Sequence, residues 1–296
     1  MFDILKKCYE ILKEYMQNLV ASIIRDDFAN AAGEMAYMTS LGIFPFMLFC
    51  MAVFGWLGKK FFVDKIICAL SYIAPPDVIS MINNVLHEVS IFKSGKLMAI
   101  TGFFVTVFLT SNAIAVIIKG LNRANNVTEN RSFFKVRLLA ILMVFVNAFL
   151  LFICVNLIVL GKVIINFIGN HLSVPQNIID TFLITRWPVA FLTLFLLASI
   201  NYYVLPARDF SVKRKSLIPG TLFFCIFWLL GSWAFSLYVN ALGTYNKVYG
   251  TIGIFAILMI WLYYSNIILL IGAQVNNQTL RKLIIMDRRK KIGHKA

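Results

Sequence analysis

The chain has 296 residues, 60% hydrophobic and only 14% charged, with a formal net charge of +15 at pH 7. An ordinary soluble domain carries about a quarter charged residues, so a soluble globular fold is excluded and an all-α, polytopic membrane protein is indicated. The basic balance, with pI ≈ 9.7, would suit nucleic acid if it lay on one folded face; here it clusters beside the ends of apolar runs, as membrane topology requires, and no nucleic-acid partner is expected.

Residues 1–33 are expected to form a cytoplasmic amphipathic helix. Leu5, Tyr9, Leu12, Met16, Leu19 and Ile23 recur at spacings of three and four, with Lys6, Lys7, Glu10, Lys13 and Glu14 between them. Such a helix lies in the membrane interface as a positioning element, or binds a partner.

Crossing a hydrocarbon core of about 30 Å takes roughly 20 helical residues. Six uncharged runs of about that length occur: Met35 to Gly58, Leu97 to Ile118, Leu138 to Leu160, Trp187 to Leu205, Leu217 to Val239 and Thr251 to Ala273. None contains Lys, Arg, Asp, Glu or His. Backbone groups in lipid must be satisfied internally, and strand alternation is missing, so a bundle of six transmembrane helices is expected.

The first span carries Tyr37, Ser40 and Pro45. Proline in mid-span frees the carbonyl near Leu41 and kinks the helix, and Gly42 loosens the same turn. Such a break borders a transporter's binding site, or it only serves packing. Glu34, at the mouth of this span, reads as a protonatable coupling group or as a hydrated interfacial carboxylate. Residues 59–96 are expected to be an external helical cap: after Pro75 and Pro76, a helix from Asp77 would align Val78, Ile82, Val85 and Val89.

Span two brings Asn112, span three Asn147 and Asn156, span four Asn201 and span six Asn266. Amides are expensive in lipid and need partners. They either bridge helices or line a polar pathway. Span five carries Ser232 and Ser236, small residues that pack within the chain or between chains, so an oligomer stays open. Between spans five and six lies NALGTYNKVYGTIG, residues 240 to 253. Its glycines read as turns. Tyr245 and Tyr249 read as interface anchors, and Lys247, just before the sixth span, as a contact for a lipid phosphate or an acidic solute. The tail, 274–296, is basic.

Lys and Arg number twenty in the N-terminal segment, the second and fourth connections and the tail, against eight in the alternate connections. Both termini are therefore expected in the cytoplasm. Five scattered cysteines and three scattered histidines form neither a disulfide framework nor a metal site. Without a P-loop or a nucleophile elbow, no cofactor and no enzyme activity are expected.

Three stretches carry a family resemblance: AYMTSLGIFPF (36 to 46), SNAIAVIIKGLNRANN (111 to 126) and GTYNKVYGTIGIFAILMIWLYYSNIILLIGAQVNN (243 to 277). They resemble the YihY/BrkB family over nearly the whole chain. The last block is the most specific, with Tyr245, Asn246, Tyr249, Gly250, Trp261, Gly272 and Ala273 in register. Gln274 stands where the family more often has Glu, and Gly42 lies in a stretch where relatives often have Ser. The resemblance implies a multi-pass protein of the bacterial inner membrane. Members are labelled virulence factors of serum resistance, and the family has carried a ribonuclease name, which a chain without clustered His and Asp does not support. Two functions follow as expectations. One is a transporter or exporter of a small solute or lipid through a polar cavity; the other is a non-transporting envelope scaffold. Candidate contacts are Tyr37, Ser40, Pro45, Asn112, Asn201, Tyr245, Asn246, Lys247, Tyr249, Asn266 and Gln274, with membrane lipids, anionic ones included, as partners.

Overall fold

The computed structural model describes residues 2–57, 95–155, 176–207, 216–241 and 245–293. The external cap expected over 59–96 lies almost wholly outside them, as do Asn156 and all three histidines. The described residues form helices and no strands: α1 (Phe2–Arg25), α2 (Phe28–Leu57), α3 (Gly95–Asn125), α4 (Phe133–Val155), α5 (Gln176–Val204), α6 (Ile218–Ala241) and α7 (Tyr245–Gly293). Among the described residues five stretches are long and apolar enough to cross a membrane: Ile100–Asn125, Phe133–Cys154, Trp187–Val204, Ile218–Phe235 and Phe255–Met286. Phe104, Phe149, Phe152 and Trp233 are each more than half exposed. Lipid, not water, is the solvent that tolerates such a surface.

Several boundaries differ from expectation. The expected 1–33 helix breaks at Asp26 and Asp27, because Asp27 adopts a left-handed backbone (φ 49°) and then accepts the Ala31 amide at the start of α2. The helix that carries span four begins at Gln176, eleven residues before the apolar stretch that starts at Trp187, which places Pro188 inside α5. The helix of the last span begins at Tyr245, upstream of the expected Thr251, while its apolar stretch runs over Phe255–Met286. Gly250 and Gly253 are thus helical and not turn residues, and Lys247 lies within the first turn of α7. That helix has 49 residues, about 74 Å at about 1.5 Å per residue, against a hydrocarbon core of about 30 Å. α7 must therefore project well beyond the membrane.

The chain separates into two compact units. One contains Met38–Ile114 and Ala140–Leu194. Here Gly42 lets α2 approach α3, since a methyl group on it would meet Thr110 Oγ1 at 3.2 Å. The Thr110 hydroxyl donates back to the Thr106 carbonyl (2.7 Å), and Ser111 to that of Phe108 (2.8 Å).

The other unit contains Met1–Tyr37, Ala115–Leu139 and Phe195–Ala296. Its core joins Phe28, Ala32 and Met35 of α2, Ile118 and Leu121 of α3, and Leu270 of α7, all at most 2% exposed. The α6–α7 contact is the closest. Gly220 faces the Gly272 carbonyl and the Asn276 side chain, and Gly231 faces the Tyr264 hydroxyl. Small residues allow this approach, which is how helices associate without a hydrophobic driving force. Polar bonds knit the same faces: Gly220 N–H donates to Asn276 Oδ1 (2.7 Å), Trp228 Nε1 to Ser265 Oγ (3.1 Å) and Tyr202 Oη to the Leu269 carbonyl (2.9 Å).

A polar latch closes the α3–α4 connection. Asn126 (φ 52°) ends α3 with the Val127 amide on the Asn122 carbonyl and its own amide on that of Arg123, a Schellman arrangement in which Asn tolerates the left-handed backbone. Asn122 Oδ1 accepts the Ala207 amide (2.7 Å) while its Nδ2 donates to Glu129 (2.8 Å). Arg131 pairs with Glu129 at 2.7 Å and donates to the Leu205 carbonyl at 2.8 Å. Hydrogen bonds from Arg131 hold the Glu129 carboxyl below its ordinary value. A depressed folded value means the stabilisation is complete above the unfolded carboxyl range, about 4.3, and is lost as pH falls through the folded value beneath it. Glu129→Gln is expected to lower stability by about 1 kcal/mol at pH 7 and to leave no deficit at low pH, as thermal unfolding of the detergent-solubilised protein across pH will show.

Candidate functional site: a cleft between the first and last helices

Within the second unit, α1 packs against the far end of α7 and leaves a cleft of about 460 Å³. From α1 come Glu14, Tyr15, Asn18, Ala21, Ser22 and Arg25; from α7 come Gln274, Gln278, Arg281, Lys282 and Ile285. The α7 residues share one face because 274, 278, 281 and 285 follow the helical repeat. α1 is positioned by Leu19, which is buried, and by Tyr15, whose ring lies 4.5 Å from Lys282 Nζ. Burial pushes the Tyr15 phenol up, against partial relief from Thr279, so it remains a protonated donor at neutral pH.

Charge in the cleft is unevenly committed. Arg25 is forked onto Asp26 (2.8 and 2.9 Å) and reaches Asn126 Oδ1 at 3.2 Å, tying α1 to the end of α3. Among the described residues Arg281 and Lys282 form no ion pair, and both are exposed. Beneath them the amides are poorly satisfied. Gln274 is 3% exposed, and its Oε1 lacks a hydrogen-bond partner. Gln278 is half-buried, and both its Oε1 and its Nε2 are enclosed without a partner. Each such atom costs about 1–3 kcal/mol relative to a paired one. Arrangements of this kind are retained where a ligand completes them.

Of the contacts expected from sequence, Gln274 alone lines this cleft among the described residues. Asn201 and Asn266 are buried in the same unit, but each donates Nδ2 to its own helix one turn back, at Leu197 O (2.7 Å) and Leu262 O (2.9 Å). Ser40 is buried, Asn112 and Pro45 are half-buried in the first unit, and Tyr37 is exposed. Tyr245, Asn246, Lys247 and Tyr249 belong to the first turns of α7 by backbone, and their side chains lie outside the described residues. Glu34 forms an exposed ion pair with Lys119 at 3.0 Å. Exposed pairs contribute about 0–1 kcal/mol, so Glu34→Gln is expected to leave thermal stability within about 1 kcal/mol of wild type. Among the described residues no group of three or more His, Cys, Asp and Glu is placed to hold a metal.

Sequence reading missed Tyr15, Gln278, Arg281 and Lys282. The signal was present in GAQVNNQ, whose amides continue the helical repeat of the sixth span into the tail.

Long apolar helices with lipid-compatible surfaces define a multi-pass α-helical membrane protein. The chain belongs to the Virulence factor BrkB family, whose profile matches residues 19–293. It is 28% identical over 262 residues to YfkH of Bacillus subtilis (strain 168), a protein named as ribonuclease-like, covering 88% of this chain and 94% of that one. It is also 30% identical over 87 residues to a UPF0761 membrane protein of Aggregatibacter aphrophilus (strain NJ8700), a match to 31% of that protein's length, and 33% identical over 87 residues to one of Idiomarina loihiensis, 30% of its length. No solved structure matches the chain.

Proposed function

We propose that the chain is a transporter or exporter of a small solute or lipid in the bacterial inner membrane, and that the α1–α7 cleft is where its cargo is held. The observation that carries this reading is the set of unpartnered amide atoms on Gln274 and Gln278, in a cleft also lined by Arg281 and Lys282, which form no ion pair among the described residues. The apolar run expected over Met35 to Gly58, which α2 (Phe28–Leu57) carries as far as Leu57, is taken as the span completing a set of six, with both termini cytoplasmic. The cleft then lies on the cytoplasmic side, beside the basic tail. No catalytic step is assigned, and the ribonuclease-like name of the Bacillus relative is not carried over. Purified protein in sealed vesicles tests the reading: labelled candidate solutes and headgroup-labelled lipids should cross only when protein is present. Folded protein that moves none of them would contradict it.

One observation favours the scaffold reading instead. Asn201 and Asn266 satisfy themselves on their own helices, as groups in a dry, packed bundle do. On that reading the vesicle experiment gives no flux, and the protein, as monomer or oligomer, acts through its surfaces.

A further inference from the structure

We infer that the α1–α7 cleft recognises the headgroup of an anionic phospholipid whose phosphodiester carries free hydroxyls, a polyol headgroup such as phosphatidylglycerol; this rests on the proposed cargo site and names its chemistry.

The inference follows from what the cleft leaves unsatisfied. Gln274 Oε1 and Gln278 Oε1 are acceptors without donors, and Gln278 Nε2 is a donor without an acceptor. A phosphodiester by itself offers acceptors only and leaves both amide oxygens unpaired. A choline headgroup offers no hydrogen-bond donor. Hydroxyl groups donate and accept at once, so adjacent hydroxyls on one short headgroup meet all three atoms once the Gln274 and Gln278 side chains, whose orphan atoms are closed to solvent in this structure, turn toward the cleft. The phosphate then falls to Arg281 and Lys282, three and four residues beyond Gln278 and hence one turn further along the same face. Arg25, already committed to Asp26, sets the wall without adding much attraction.

A lipid is favoured over a free solute by what flanks the cleft. Tyr9, Met16, Val20 and Ile24 of α1 are exposed, as are Ile285 and Met286 of α7. On α1 these apolar side chains continue round the helix from the buried Leu19, and such a stripe belongs at the boundary between headgroups and acyl chains. Acyl chains could lie along it while the headgroup enters the cleft. Lys282, held over the Tyr15 ring, is the side chain that must shift to admit it.

Native mass spectrometry of the full chain, exchanged into mixed lipid, tests this with three lipids of equal acyl composition: phosphatidylglycerol, phosphatidylmethanol and phosphatidylcholine. Phosphatidylmethanol has the same charge as phosphatidylglycerol and no hydroxyls. Wild type should retain phosphatidylglycerol roughly tenfold better than phosphatidylmethanol, the scale of one or two hydrogen bonds, and phosphatidylcholine least. Gln278→Leu should erase the first preference and keep the second. The pair Arg281→Gln and Lys282→Gln should weaken both anionic lipids together. Equal retention of phosphatidylglycerol and phosphatidylmethanol overturns the inference, as does displacement of the lipid by water-soluble glycerophosphoglycerol at matched concentration. If phosphatidylglycerol binds as described and no flux is found, the transport reading fails and this one stands. If some other solute crosses at a rate untouched by these variants, transport stands and this inference fails.

Discussion

Gly220→Ala is expected to be among the most damaging single substitutions in the chain. The added methyl would strike the Gly272 carbonyl, a backbone atom, and the Asn276 side chain. The side chain could rotate away, but only by giving up the 2.7 Å bond from the Gly220 amide, one of the first-turn donors of α6 that have no partner within the helix. The backbone carbonyl cannot rotate at all. Separating α6 from α7 also stretches the Trp228 bond made to Ser265 of α7. Overpacking costs typically about 1–3 kcal/mol, and a lost bond to a buried amide adds about 1–3 kcal/mol. Gly33→Ala is the control, because nothing lies within 4 Å of the methyl it would add. Within a helix that change should stabilise by about 0.4–1 kcal/mol. Thermal unfolding and monodisperse yield in one detergent read both variants, and equal behaviour of the two would contradict the close α6–α7 packing.

Gln278→Leu should move stability and function in opposite directions. Leucine has a similar volume and removes two enclosed, unpartnered polar atoms. Exchanging an unsatisfied buried group for an apolar one of like shape is neutral or stabilising, and a gain of about 1 kcal/mol is expected here. Cargo retention should fall at the same time, since the Leu side chain can neither donate nor accept. A site maintained against its own stability is characteristic of function. Gln274→Leu should act in the same direction through its single orphan oxygen. Were either variant to unfold more readily than wild type, these amides would have protein partners after all, and the case for a ligand would lose its basis.

Much of the fold could be read from composition and run length. Lipid imposes one rule, that an uncharged run near twenty residues is a helix, and Leu97–Ile118, Leu138–Leu160, Leu217–Val239 and Thr251–Ala273 each lie on an observed helix through most of their length. Ends were less legible. The expected sixth span ends at Ala273, before the polar Gln274, Asn276 and Asn277, whereas the apolar stretch continues to Met286. Asn276 receives the Gly220 amide and Asn277 donates to the Ala124 carbonyl at 3.3 Å. Those partners come from residues 56 and 153 positions away, beyond any local pattern. α5 continues upstream of the apolar run that begins at Trp187 and carries Pro188 in its interior.

The candidate site was legible in one residue. Gln274 drew notice through the family resemblance, while Gln278, Arg281 and Lys282 were absorbed into a basic tail whose charges topology alone explains. Asn201 and Asn266 each donate to a carbonyl four residues back on their own helix, a local bond that a count of polar residues in a span does not reveal. The expected stripe of α1 divides: Leu19 is buried, while Tyr9 and Met16 join Val20 and Ile24 on the exposed side. A hydrophobic repeat gives the period of such a face. It does not say which part meets protein and which meets lipid.

The most direct measurement is flux of a headgroup-labelled phosphatidylglycerol analogue across sealed vesicles containing wild type or Gln278→Leu, each verified as folded and equally inserted. The account predicts protein-dependent movement with wild type and a fall of roughly tenfold or more with the variant, one or two hydrogen bonds' worth. Equal flux through both proteins would contradict it.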